Sequence, residues 1–297
     1  MTGSARRIRR AILFINLHKE QAASVAAGIR ETLEARGVRT DFYTFEKKNL
    51  SFEGEGYDIA FSLGGDGTVL YAARSMAGLG IPIVPVNLGT LGFIASVSPG
   101  EWQAVYDGWL AGVIAPSRRF MLEAVVERGG KRIFADSCLN DVVISASGIA
   151  KLIRLQVSSD YVNLGEYRSD GLIIATPTGS TGYSVAAGGP ILDPEIEAVI
   201  LNPICPFTLS NRPIVLPPDE AVSITVEREQ RSGVLLTLDG QITEALEPGD
   251  CIRIGRTAWY AELVASDRNV FYEALRSKLN WPGTTGNGGG KRGAGHA

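Results

Sequence analysis

Residues 57–75 read YDIAFSLGGDGTVLYAARS. The first part, through Leu63, is a mostly apolar run suited to a strand covered on both faces. GGDGT at 64–68 follows without a spacer. Val69, Leu70, Ala73 and Met76 then recur at helical spacing. A strand that ends in glycines and leads into a helix is the repeating step of a parallel α/β sheet. The flanks repeat it. AILFINL at 11–17 is a buried-strand pattern. The next segment carries Val25, Ile29 and Leu33 one helical turn apart, and Gly37 is a stop. VRTDFYTF and IPIVPVN read as further strands. These alternations predict a Rossmann-like α/β domain with right-handed crossovers over residues 1–100.

The texture changes after residue 100. EWQAVYDGWLAGV is one more helical stretch, and from Met121 strands and turns dominate. MLEAVVE, RGGK and RIFADSC form a hairpin pattern, AVSITVE alternates, and VLLTLDG and CIRIG read as short strands. Residues 101–267 are therefore expected to form a mainly-β domain, a β-sandwich. The helix of 268–281 is expected to pack back on the first domain. The tail from 282 to 297 is low in complexity and expected to be disordered. It holds a G-x-G-x-x-G spacing at Gly288, Gly290 and Gly293, but neither strand nor helix flanks it. No Walker A sequence occurs.

The chain has 297 residues and a formal net charge of −3, so no basic field points to nucleic acid. Cys138, Cys205 and Cys251 are far apart and odd in number, which implies neither a metal site nor a disulfide framework and fits a reducing cytoplasm. His18 and His296 are the two histidines, a poor basis for a histidine-dependent nucleophile. The paired arginines before Ala11 precede an apolar run too short for an export signal, and no later run reaches membrane-spanning length. A cytoplasmic protein that binds neither membrane nor nucleic acid is expected.

Several stretches carry polar groups where a sheet of this kind binds ligands. In GGDGT the glycines let a phosphate approach the backbone, and Asp66 beside it could accept a proton or help hold a metal. The same residues suit a turn with Asp66 or Thr68 capping the helix. NLGTLGF at 87–93 places a second glycine loop at the end of the next strand, with Phe93 equally suited to a core. Asn140 and Asp141 precede an apolar strand and would suit a ribose diol, or a simple turn. RSDGLIIATPTGSTGYSVAAGGP at 168–190 is densest in hydroxyls and glycines, with Asp170 before its strand and Tyr183 able to stack on a base. Arg212 could meet phosphate or loop carbonyls. LDGQ at 238–241 reads first as a hairpin turn.

Taken together, GGDGT, NLGTLGF, the Asn140–Asp141 pair, SDGLIIATPTGSTGYS and NRPIVLP resemble the NAD kinase family in order and spacing. Lipid kinases share GGDGT; the later stretch is the more specific. The resemblance implies transfer of the γ-phosphoryl of ATP, or of polyphosphate, to the 2′-hydroxyl of the adenosine ribose of NAD. It also implies a divalent metal, with magnesium the expected ion, and a homo-oligomer, dimer or tetramer. By the same resemblance Asp66 is the catalytic aspartate, and Gly64, Gly65, Gly67 and Thr68 form the phosphate loop. NAD is expected at Gly67, Phe93, Asn140, Asp141, Lys151, Arg168, Asp170, Thr181, Gly182, Tyr183, Ser184, Ala186 and Gln241. No side chain other than Asp66 is assigned to the metal. Two departures stand out: Asp141 where the family usually has glutamate, and Gly182 where it usually has alanine. The alternatives are a lipid or other small-molecule kinase, and a nucleotide-binding module without catalysis.

Overall fold

The computed structural model describes residues 7–44, 56–148, 152–208 and 210–279. The expected tail, 282–297, lies outside the described residues. Strands β1 (Arg10–Ile15), β2 (Arg39–Thr44), β3 (Ile59–Gly64) and β4 (Ile83–Asn87) pair in parallel in the order β2-β1-β3-β4. Helix α1 (Ala22–Ala35) follows β1, α2 (Asp66–Ser75) follows β3, and α3 (Trp102–Leu110) follows β4. β3 and β4 are buried along their whole length, as their continuous apolar runs require. On α1 the buried stripe is Ala22, Ala26, Ile29 and Leu33, while Val25 is only partly buried at its margin. Gly37 ends that helix with φ +76°, a conformation that disfavours a side chain.

β5 (Pro116–Arg128) and β6 (Lys131–Cys138) form the expected hairpin, and both turn residues, Gly129 and Gly130, have positive φ. The chain continues through β7 (Asp141–Ala146), β8 (Ile153–Ser159), β9 (Asn163–Ser169) and β10 (Gly171–Ala175). A 3-10 turn at Thr178–Thr181 and the short α4 (Tyr183–Ala186) lead to β11 (Val199–Ile204), β12 (Ile214–Leu216), β13 (Val222–Val226), β14 (Val234–Leu238) and β15 (Ile242–Leu246). β16 (Cys251–Val264) and α5 (Arg268–Leu279) close the described chain.

Six of these strands form one antiparallel sheet, β12-β11-β10-β7-β14-β15. It packs through Val142, Ile144, Leu172, Ile174, Leu201 and Leu236 on Ile224, Ile252, Leu155 and their neighbours in a second layer, the sandwich core. β8, β13 and β14 alternate buried and half-buried residues, the period of two that a one-sided strand shows.

The second layer is not a separate sheet. It continues the parallel sheet in the order β2-β1-β3-β4-β16-β13-β8-β9, with β5 also paired to β16. β16 makes the join. CIRIG looked like a short strand, but pairing continues to Val264 past an irregularity between Arg256 and Tyr260. Its first half lies against β13, and Leu263 in its second half pairs with Ile83 of β4. α5 then returns to the first layer, where Phe271 meets Phe93 with ring centroids 6.1 Å apart. At its start Arg268 ion-pairs with Asp193 of the second domain, and the Tyr272 hydroxyl donates to the same carboxylate at 3.0 Å.

Candidate active site

β3 delivers GGDGT to the carboxyl edge of the parallel sheet, and Asp66 is the first residue of α2. A Cβ on Gly64 would lie 2.1 Å from Thr68 Oγ1, so only glycine lets the helix start fold back this closely. The neighbouring strand delivers NLGTLGF to the same edge, and the Asp66 carboxylate ties the two loops together. Oδ2 accepts from the Phe93 amide at 3.0 Å, and Oδ1 accepts from Ile94 at 3.1 Å and Ala95 at 2.9 Å. Gly92 makes room for this arrangement, since a Cβ there would lie 2.0 Å from Oδ1. Lys278 of α5 sits over the Phe93 ring, 4.0 Å from Asp66 Oδ2.

Two cavities adjoin at residues 239–241, and the first is lined by the neighbours of Asp66. The first, about 500 Å³, is lined by Asn16, His18, Lys19, Gly65, Gly67, Thr68, Tyr71 and Gln241. The positive end of α2 and the Lys19 ammonium make it suitable for an anion. The second, about 390 Å³, is lined by Asn140, Asp141, Val143, Ser145, Tyr183, Thr237, Asp239 and Gly240. Its walls are rich in hydrogen-bonding groups, and the half-exposed ring of Tyr183 gives it one aromatic face.

Asn140 and Asp141 are held from two sides. The Thr176 hydroxyl donates to the Leu139 carbonyl at 2.5 Å, and the Thr176 amide donates to the Asn140 carbonyl at 2.8 Å. Gly179 lies so close that a Cβ would stand 2.1 Å from that same carbonyl. From the other side the Asp239 carboxylate accepts from the amides of Leu139, Asn140 and Asp141. Asp239 is also paired with Arg74 of α2. The Asn140 amide and the Asp141 carboxyl are left lining the cavity. Asn140 Oδ1 is buried without a hydrogen-bond partner, and Asp141 is 5% exposed. Burial, and then the charge of Asp239, push the Asp141 carboxyl up to about 7. Burial also raises Asp239, with Arg74 and the amides of Asn140 and Leu139 pulling it back.

Other expected site residues fall elsewhere. Arg168 lies partly exposed on β9, its guanidinium 5.9 Å from the Phe207 ring centre, and Asp170 sits at the turn into β10. Ser184 is fully buried, with Asn202 Nδ2 donating to its carbonyl at 2.9 Å. Thr181 and Gly182 are half-buried and Ala186 is exposed. An added Cβ on Gly182 would lie 3.2 Å from the Gly179 carbonyl oxygen and 3.4 Å from Asn140 Nδ2. Lys151 lies outside the described residues. Gln241 lines the first cavity, where its Nε2 donates to the Gly67 carbonyl at 2.7 Å. Among the described residues no group of three or more His, Cys, Asp or Glu side chains converges as a metal cage.

Comparison with known proteins matches both halves of this arrangement. The family described as ATP-NAD kinase N-terminal domain matches residues 4–114, and ATP-NAD kinase C-terminal domain matches residues 139–266. The NAD kinase of Treponema denticola is 41% identical over 279 residues, spanning 94% of this chain and 98% of that protein. The chain belongs to the NAD kinase family. The NAD kinase of Geobacter sulfurreducens is 38% identical over 92% of this chain and 99% of its own length. The fold is also that of two solved structures. Yeast NADH kinase complexed with NADH superimposes with a TM-score of 0.81 at 22% identity, over 95% of this chain and 90% of that one. An NAD kinase from Archaeoglobus fulgidus in complex with ATP gives 0.73 at 24% identity, over 91% and 99%.

Four residues that line the cavities or contact their surrounding residues escaped the sequence reading. Asp239 looked like the first half of an Asp-Gly turn, and such a turn it also makes, with φ +51° followed by +66° at Gly240. Arg74 and Lys278 were ordinary charges on helices. Lys19 stood just past a strand. A cation placed directly after a buried strand at the carboxyl edge of the sheet was the one signal available, and it belonged to Lys19.

Proposed function

We propose that this chain is an NAD kinase, transferring the γ-phosphoryl of ATP to the 2′-hydroxyl of the adenosine ribose of NAD and releasing NADP and ADP. Polyphosphate is the alternative donor. The observation that carries the reading is that a cavity suited to phosphates, lined by the neighbours of Asp66, adjoins one suited to a ribose and base across residues 239–241. The donor's phosphates lie along Gly65, Gly67 and Thr68 with Lys19 nearby. Asn140 and Asp141 hold the ribose, and Tyr183 lies against a base. Thr181, Gly182, Ser184 and Ala186 shape the loop around the dinucleotide. Arg168, Asp170 and Lys151 act at its far end. Asp66 orients the 2′-hydroxyl and takes its proton as the oxygen attacks the γ-phosphorus. Such transfer depends on alignment and charge neutralisation more than on covalent help.

A divalent cation, magnesium by expectation, neutralises charge on the donor's phosphates. Asp66 is the carboxylate that would help hold it. A cytoplasmic homo-oligomer, with domains divided near residues 100 and 267, completes the proposal. The test is incubation with NAD, ATP and magnesium, followed by an NADP-specific dehydrogenase. NADP forms, and Asp66→Asn lowers kcat by at least about a hundredfold with NAD still bound, the loss typical of a general base. Absence of NADP at every enzyme concentration rejects the activity, and near-normal turnover in Asp66→Asn rejects the role.

A further inference from the structure

Arg74 and Asp239 form a buried ion pair, with Nη1 3.1 Å from Oδ2 and side chains 8% and 0% exposed. Such a pair is a poor source of stability. Both charges lose their water, and neutral replacements of both often leave a protein as stable as before. Its other partners indicate a different role. Arg74 Nη2 donates to Gln241 Oε1 at 2.8 Å, and Gln241 Nε2 donates to the Gly67 carbonyl at 2.7 Å. On the far side Asp239 Oδ1 accepts from the amides of Asn140 at 2.7 Å and Asp141 at 3.3 Å, while Oδ2 accepts from Leu139 at 3.1 Å. A chain of hydrogen bonds therefore runs unbroken from the peptide next to Asp66 to the peptides that carry Asn140 and Asp141. One end belongs to the parallel α/β layer and the other to the six-stranded sheet. The turn that holds Asp239 keeps φ +51°, a conformation aspartate and asparagine tolerate better than most residues.

We infer that Arg74 and Asp239 are positioning residues for phosphoryl transfer, fixing the distance from Asp66 to the ribose held at Asn140 and Asp141. The inference rests on the kinase reading above. Neither side chain touches the reacting atoms. They set the separation of two loops that come from different layers of the fold. Reacting atoms must meet within about 3–3.5 Å, and a displacement of about 1 Å costs roughly a hundredfold in rate. Loosening the pair therefore lowers turnover while leaving each substrate able to bind.

The test compares the wild-type chain with Arg74→Met, Asp239→Asn, the double variant and Arg74→Lys. NADP formation, thermal unfolding and calorimetric titration with NAD are measured for each. Each neutralising single variant strands one buried charge and lowers Tm. The double variant removes both charges and recovers Tm to near wild type. Its kcat stays down by about 30- to 100-fold, and its dissociation constant for NAD moves by less than about threefold. Arg74→Lys keeps the charge but cannot hold Asp239 and Gln241 together, so it folds and gives an intermediate kcat. A double variant with both Tm and kcat restored makes the pair merely structural and overturns the inference. So does a loss explained wholly by weaker NAD binding, or a well-folded Arg74→Lys with wild-type kcat. A wild-type chain that makes no NADP overturns the kinase reading itself, and the positioning role with it.

Discussion

Gly92→Ala tests the seat of Asp66 without touching its carboxylate. The added methyl carbon would stand 2.0 Å from Asp66 Oδ1 and 2.8 Å from its Cγ. Ordinary contact begins near 3.4 Å, so the carboxylate must retreat by about 1.4 Å. The Ala95 carbonyl oxygen, 3.1 Å from the same point, prevents the methyl from moving aside. Retreat breaks the bonds from Ile94 and Ala95 to Oδ1. Bonds to a charged acceptor contribute about 1.5–3 kcal/mol each, and water at this partly open site replaces some of that. A net loss of about 2–3 kcal/mol in unfolding free energy follows. A candidate base displaced by more than 1 Å should lose roughly a hundredfold in kcat, about 2.7 kcal/mol in the barrier. Urea unfolding and the coupled NADP assay read the two effects, with Gly100→Ala, whose Cβ meets open space, as the control. Wild-type kcat in Gly92→Ala would refute the reasoning, because the amides of 93–95 would then not be what places Asp66.

Other outcomes follow from packing and titration. Asp141 holds a proton in the folded state that the unfolded chain, with an ordinary value of 3.8, has released by about pH 7. The stability this gives is full below pH 4 and is lost as pH rises through 7, on the order of 4 kcal/mol. Asp141→Asn should therefore match wild type in Tm near pH 4 and exceed it at pH 8; equal melting curves at both pH values would contradict the burial argument. Gly179→Ala drives a methyl into the Asn140 carbonyl and should cost about 3 kcal/mol or more, read by urea unfolding and by weakened NAD binding in calorimetry. Phe271→Ala removes a nearly buried ring from Phe93 and should cost about 3–5 kcal/mol, with kcat falling because the loop that seats Asp66 loses its backing.

The α/β half was legible because buried parallel strands announce themselves. The runs at 59–64 and 83–87 are apolar throughout, and glycines mark where each chain turns at the sheet edge. β8 and β9 were not read, since Gln156, Ser158, Asn163 and Glu166 dilute their apolar residues to a half-buried pattern. β16 was read too short because Gly255, Arg256 and Thr257 interrupt its alternation at the very point where it passes between layers. In the site, residues grouped by sequence were grouped in space: GGDGT met NLGTLGF, and TPTGST met Asn140. Asp239 was hidden because its local conformation is that of any hairpin turn. Its role depends on Arg74, which chain proximity could not supply.

The path of β16 has a consequence for how the chain folds as it is made. The parallel layer can begin to form once α2 and β4 have left the ribosome, and residues 96–97 then cover β4 from Pro85 to Asn87, but its first residue, Ile83, remains an open edge. The strand that covers it ends at Val264, and Leu263 is the residue that pairs with Ile83. Nearly the whole chain must be synthesised before that edge closes. Contacts of such long sequence separation slow folding, and an uncovered apolar edge invites pairing with another nascent chain. The strand that unites the two layers thus makes the first of them dependent on a segment synthesised long after it.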